Sequence, residues 1–113
     1  MTEITRLIME AIRSIPPGRV SSYRDAALQA GLPRGARQVV RVLHSMAALH
    51  DLPWHRIIRA DGSIALESGQ GREEQIRLLR SEGVRVSRAG KIDMKKYGTA
   101  PVSAPEQDSP RRR

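Results

Sequence analysis

The chain has 113 residues, 39% of them apolar, no cysteine, and 20 Lys and Arg against 12 Asp and Glu for a formal net charge of +8. That length supports one domain with one modest core; without thiols there is no disulfide framework, thiolate nucleophile or cysteine zinc site, and three scattered histidines offer no metal or cofactor site. No apolar run reaches the ~20 residues that span a bilayer and no basic-then-apolar leader is visible, so the expectation is a soluble cytoplasmic protein with no membrane partner.

Thr2 is placed to cap a first helix, on which Ile4, Leu7, Ile8, Ala11, Ile12 and Ile15 recur at helical spacing. Pro16-Pro17-Gly18 ends it, and Arg19-Val20-Ser21 reads as a short extended connection. Ser22 with Asp25 three positions on has capping-box spacing, opening a short alanine-rich helix that stops at Gly31-Leu32-Pro33. A third helix is predicted from Arg34 to Ala47. Rotating each residue by about 100° places Val39, Val42, Leu43 and Met46 on one side and Arg34, Arg37, Arg41 and His44 on the other. From Arg13 to Arg59 eight arginines face two acids, Asp25 and Asp51, so the middle of the chain carries +6 of the +8. Two helices across a glycine-containing turn, the second with a basic outer face, form a helix-turn-helix pattern and point to a polyanionic partner. Solvated arginines on a small helical protein are the plainer alternative.

Ala48 to Leu52 is a loop leading to Pro53-Trp54-His55-Arg56, with the chain's one tryptophan. Ile57-Ile58 and Ser63-Ile64-Ala65-Leu66, joined across Asp61-Gly62, read as a β-hairpin. Glu67-Ser68-Gly69-Gln70-Gly71 is a surface loop, followed by a helix from Arg72 to Glu82 with Ile76 and Leu79 toward the core. Val84-Arg85-Val86 is predicted as a short strand and Lys91 to Tyr97 as a further short element. The ordered domain is expected over 1–97, with 98–113 a disordered basic tail ending in three arginines.

Between Pro16 and Gly83 the motifs Pro17-Gly18-Arg19-Val20-Ser21-Ser22-Tyr23, Gly31-Leu32-Pro33, Ala36-Arg37-Gln38-Val39, Pro53-Trp54-His55-Arg56-Ile57, Asp61-Gly62, Ser68-Gly69 and Glu82-Gly83 occur in order. Together they resemble the DNA-binding domain of the O6-alkylguanine-DNA alkyltransferases, in which a Pro-Cys-His-Arg stretch carries the alkyl-accepting cysteine. Trp54 stands at that cysteine's place, as in the alkyltransferase-like proteins, which recognise the same damaged base without repairing it by transfer. The implied fold is mainly α with a small β-hairpin, a winged helix-turn-helix domain.

The resemblance implies a non-enzymatic, monomeric protein that needs no cofactor and binds duplex DNA containing O6-alkylguanine, the recognition helix lying in the minor groove. It further implies hand-over to nucleotide excision repair proteins such as UvrA. Tyr23 is similar to the tyrosine that pushes on the phosphate beside the damaged nucleotide; core packing is its other reading. Arg37 resembles the finger that fills the vacated stack, although a lone arginine on a basic face is more often a phosphate contact. Arg34, Gln38 and Arg41 complete the expected DNA-binding face. Tyr23, Pro53, Trp54, Ile57, Ser68 and Gly69 would form the lesion pocket, where Trp54 stacks on the base or merely plugs the core. His55 and Glu82 match the pair that activates the family's cysteine and here have no thiol to activate. Met46 replaces an asparagine that braces the site loop, removing that support, and Glu67 replaces a tyrosine of the binding loop. A transcriptional regulator reading undamaged sequence, and a thiol-free enzyme, are the alternative classes.

Overall fold

In the computed structural model, residues 1–99 are described. The predicted tail from 100 onward lies outside the described residues, while Gly98 and Thr99, assigned to that tail from sequence, pair with Val20: Val20 N donates to the Tyr97 carbonyl and Thr99 N to the Val20 carbonyl, both at 2.9 Å.

Helix α1 (Glu3–Arg13) is capped by the Thr2 hydroxyl, which accepts from Thr5 N at 3.1 Å. Its inward face carries Ile8, Met9, Ala11 and Ile12, whereas Ile4 is exposed. The two-residue strand β1 (Ser21–Ser22) leads directly into α2 (Tyr23–Gln29), whose first turn is capped by Ser22 accepting from Asp25 N at 2.9 Å. Gly31 adopts φ +82° and Leu32 N returns to the Ala27 carbonyl at 2.8 Å, so the chain reverses into α3 (Ala36–Met46). The helix begins two residues later than the arginine pattern implied. Gly35 caps it, and Arg34 sits in the preceding turn.

A 3-10 turn (Trp54–Arg56) delivers the chain to β2 (Ile57–Ile58), and α4 (Arg72–Ser81) and α5 (Met94–Tyr97) complete the elements. The expected hairpin is corrected. Its turn is present, with Gly62 N donating to the Arg59 carbonyl and Arg59 N to the Ser63 carbonyl, each at 2.9 Å, but its arms part. Ile57 and Ile58 pair in parallel with Ser21 and Ser22, while Ser63 bridges antiparallel to Lys91. Val84 to Val86 forms no strand, although Val84 and Val86 are buried around an exposed Arg85.

The alternation of a strand explains the parting. Ile57 packs with α1, α2 and α3 in one hydrophobic cluster, and Ile58 packs with Val20, Ile64, Leu79, Val84, Val86 and Ile92 in a second. Two neighbouring isoleucines can serve two cores only if the strand lies between them, and β1 offers the backbone ladder there. The second arm instead approaches the segment before α5, where Ile92 N donates to the Gly62 carbonyl at 2.8 Å. A Cβ on Gly62, which has φ +91°, would lie 2.4 Å from the Ile92 carbonyl oxygen. Gly62→Ala is therefore expected to destabilise the fold by about 3 kcal/mol through left-handed strain and displaced backbone, seen as a clear drop in the thermal unfolding midpoint.

Candidate functional site

The turn from Pro53 to Ile57 is a tight one: Trp54 N donates to the Leu52 carbonyl at 2.7 Å and Arg56 N to the Pro53 carbonyl at 3.1 Å. Trp54 is half-buried and meets His55 edge to face, with ring centroids 6.1 Å apart and planes at 85°. Beside it opens a cavity of about 420 Å³. Its walls are largely apolar: Val40, Leu43 and Ala47 from α3 and its end, Leu52 and Trp54 from the turn and its approach, and Leu66 from the segment before α4. Tyr23 at the start of α2 and Ile57 also line it. Burial pushes the Tyr23 phenol above its ordinary pKa, against the positive charge of Arg59.

Of the six pocket residues expected from sequence, the structure brings Tyr23, Trp54 and Ile57 to the cavity lining and leaves Pro53, Ser68 and Gly69 off it. The reason for the loop residues is local. The Ser68 hydroxyl and Gly69 N both donate to the Glu73 carboxylate, at 2.6 and 3.0 Å, which ties them to the first turn of α4. Leu66, Gln70 and Gly71 supply that side of the cavity instead.

The basic face of α3 is present as the periodicity required. Arg37, Arg41 and His44 on the helix, and Arg34 in the turn before it, are exposed and Gln38 is half-buried, while Val39 and Val42 are buried on the opposite side. Val40 and His44 of the same helix reach the cavity wall, so one element carries both the arginines and part of the pocket.

His55 and Glu82 meet, but in a larger arrangement than a pair. The Glu82 carboxylate accepts from His55 Nε2 at 2.8 Å, from Arg56 Nη2 at 2.6 Å and Nε at 3.1 Å, and from Gly18 N at 3.2 Å. Arg56 Nη1 also donates to the Ile15 carbonyl at 2.9 Å. Burial alone would raise the Glu82 pKa, and the donors from Arg56, His55 and Gly18 overcome it, bringing it down to about 2. Arg56 drew no separate role from sequence because an arginine beside a histidine has no local signal of a partner 26 residues away.

A second unforeseen residue is Gln75. It is buried on α4, and its Nε2 donates to the His55 carbonyl at 3.1 Å and the Ile57 carbonyl at 3.0 Å. The sequence assigned it no role; the signal for its burial is its place four residues before Leu79, on the same helical face. Among the described residues no group of three His, Asp or Glu side chains is arranged to hold a metal ion.

Residues 3–84 match the family model described as the 6-O-methylguanine DNA methyltransferase, DNA binding domain. The chain is 41% identical over 90 residues to a DNA base-flipping protein of Escherichia coli K12, covering 80% of this chain and 69% of that one. It is 39% identical over 94 residues to a DNA base-flipping protein of Vibrio parahaemolyticus, covering 83% and 93%. Its structure is similar to that of Schizosaccharomyces pombe Atl1 in complex with damaged DNA containing O6-carboxymethylguanine, with a TM-score of 0.80 at 30% identity, covering 89% of this chain and 98% of that one.

The depressed pKa of Glu82 makes stability pH-dependent with a definite sign. The carboxylate's contribution is fully present above its ordinary value of 4.5 and is lost as pH falls toward about 2. With the side chain 15% exposed, the contribution is roughly 2–3 kcal/mol after solvent screening. In thermal melts from pH 7 to 2, Glu82→Gln is expected to be less stable than wild type at pH 7 and to lose that deficit by pH 2. Arg56→Ala, which leaves the carboxylate without its main partner, is expected to cost about 3 kcal/mol at pH 7.

Proposed function

Because the chain belongs to the family of the 6-O-methylguanine DNA methyltransferase DNA-binding domain, we propose that it recognises O6-alkylguanine in duplex DNA by turning the lesion into the cavity beside Trp54. The alkyl group stays on the base, and the complex flags the site for nucleotide excision repair. One observation carries the reading: a cavity of about 420 Å³ with Trp54 on its wall at the family's alkyl-acceptor position, bordered by the helix that bears the exposed arginines.

That volume is within the range of sites for small organic ligands. Base extrusion costs a few kcal/mol, least for a damaged pair, and aromatic stacking returns ~1–3 kcal/mol per base. Trp54 and the apolar wall supply that contact, and Arg37 enters the space the base leaves. Arg34, Gln38 and Arg41 bind phosphates and set the register without reading sequence. Tyr23, on the cavity wall at the start of α2, presses on the phosphate next to the extruded nucleotide.

Lesion recognition without transfer is supported by the relatives' names and by the chain's own chemistry. With no cysteine in 113 residues there is no thiol to accept an alkyl group, and Glu82 is engaged by Arg56, His55 and Gly18 rather than poised as a base. The protein acts as a monomer in the cytoplasm and hands the lesion to excision-repair proteins such as UvrA.

The test compares matched duplexes with and without one O6-methylguanine at fixed salt, because phosphate contacts alone give strong, salt-dependent binding. Wild type is expected to prefer the lesion by about tenfold or more, and Arg37→Ala to lose most of that preference with a smaller loss on undamaged DNA. Mass spectrometry after incubation is expected to find the alkyl group still on the DNA and the protein mass unchanged. Equal binding to the two duplexes overturns the reading and leaves a helix-turn-helix transcriptional regulator or general DNA-binding module; restored guanine overturns the absence of catalysis.

A further inference from the structure

Trp54 stands on a three-residue turn whose backbone hydrogen bonds, from Trp54 N to the Leu52 carbonyl and from Arg56 N to the Pro53 carbonyl, are all local. Two points on α4 grip it. At the helix end, Glu82 holds the side chains of His55 and Arg56. Further up, Gln75 holds the backbone, donating both amide hydrogens to the carbonyls of His55 and Ile57, the residue after Trp54 and the residue that closes the turn.

The chemistry of Gln75 is costly for a purely structural residue. It is 2% exposed, and its Oε1 is buried with no hydrogen-bond partner among the described residues. An unpaired buried carbonyl oxygen costs ~1–3 kcal/mol, and an apolar side chain of the same shape would avoid that cost. What an apolar side chain lacks is the pair of donors. Gln75 also lines the cavity itself.

We propose that Gln75 is a positioning residue for the lesion pocket, clamping the backbone on either side of Arg56 so that Trp54 is held on the cavity wall. The brace expected to be missing because Met46 occupies its place is thereby supplied from α4 rather than α3. The pocket's two sides then belong to separately anchored parts: α2 and α3 carry Tyr23 and the arginines, and α4 sets Trp54. The effect on lesion binding rests on the function proposed above, whereas the effect on Trp54 does not.

The chain's single tryptophan gives a direct readout. Gln75→Met keeps the side-chain length and removes both donors along with the orphaned oxygen; Gln75→Glu keeps the shape and turns an acceptor toward the two carbonyls. In DNA-free protein, acrylamide quenching of Trp54 fluorescence is expected to rise about twofold in the folded variants, with a change in emission maximum. Val84→Ala, a truncation in the other hydrophobic cluster of the kind that costs ~1 kcal/mol or more, is expected to leave quenching at the wild-type value. On DNA, the variants are expected to lose about fivefold in lesion preference with undamaged binding unchanged. Wild-type quenching in both Gln75 variants overturns the proposal, and so does an equal rise in Val84→Ala, which would mark general loosening. If wild type itself shows no lesion preference, the function fails while the quenching comparison still decides the role of Gln75.

Discussion

The Glu82 carboxylate is the point through which separate parts of this chain are held together. It ends α4, accepts from the amide of Gly18 just after α1, and takes the His55 and Arg56 side chains from the 3-10 turn, while Arg56 reaches on to the Ile15 carbonyl. Hydrogen bonds to an ionised acceptor are stronger than neutral ones, and removing one partner of a shielded pair exposes the cost of burying the other. The arrangement therefore behaves as a unit. His55 and Glu82 are occupied in joining α1, the turn and α4.

That joint makes the division of the interior intelligible. One cluster gathers α1, α2 and α3 with Ile57, and the other gathers Ile58, Leu79, Val84 and Ile92. The parallel pair β1 and β2 lies between them, its two isoleucines pointing to opposite sides. The cavity forms where the first cluster opens beside the turn, so Trp54 is presented by one part of the fold to a wall made largely by another. An apolar slot next to a basic helix is the geometry that the proposed recognition of an extruded base calls for.

Sequence and structure part company where a residue's partner is distant. The Asp61-Gly62 turn was legible because its geometry is local, with Asp61 Oδ1 accepting from Ser63 N at 2.9 Å. Its arms were not, since the ladder for Ile57 comes from Ser21, 36 positions back. Ser68 and Gly69 looked like pocket residues by resemblance, but Glu73 draws them toward α4 and the wall passes to Leu66, Gln70 and Gly71. Gln75 stands four residues before Leu79 and so shares its helical face, but its polar side chain hid that placement, and the two backbone carbonyls it serves explain why it is inside.

By itself the sequence determined what depends on neighbours within a turn or two: the Thr2 and Ser22 caps, the reversal at Gly31, and the separation of Arg37 and Arg41 from Val39 and Val42 around α3. It also determined the absence of a thiol and, by resemblance, set Trp54 at the place of the family's acceptor. Tertiary structure alone decided which strand β2 joins, which side chains share the cavity with Trp54, and how Glu82, Arg56 and Gln75 hold the turn that carries it. The physical reason is that caps and amphipathic faces are set by short-range sterics and periodicity, whereas strand pairing and buried polar contacts are settled only when distant segments compete for the same space and the same hydrogen bonds.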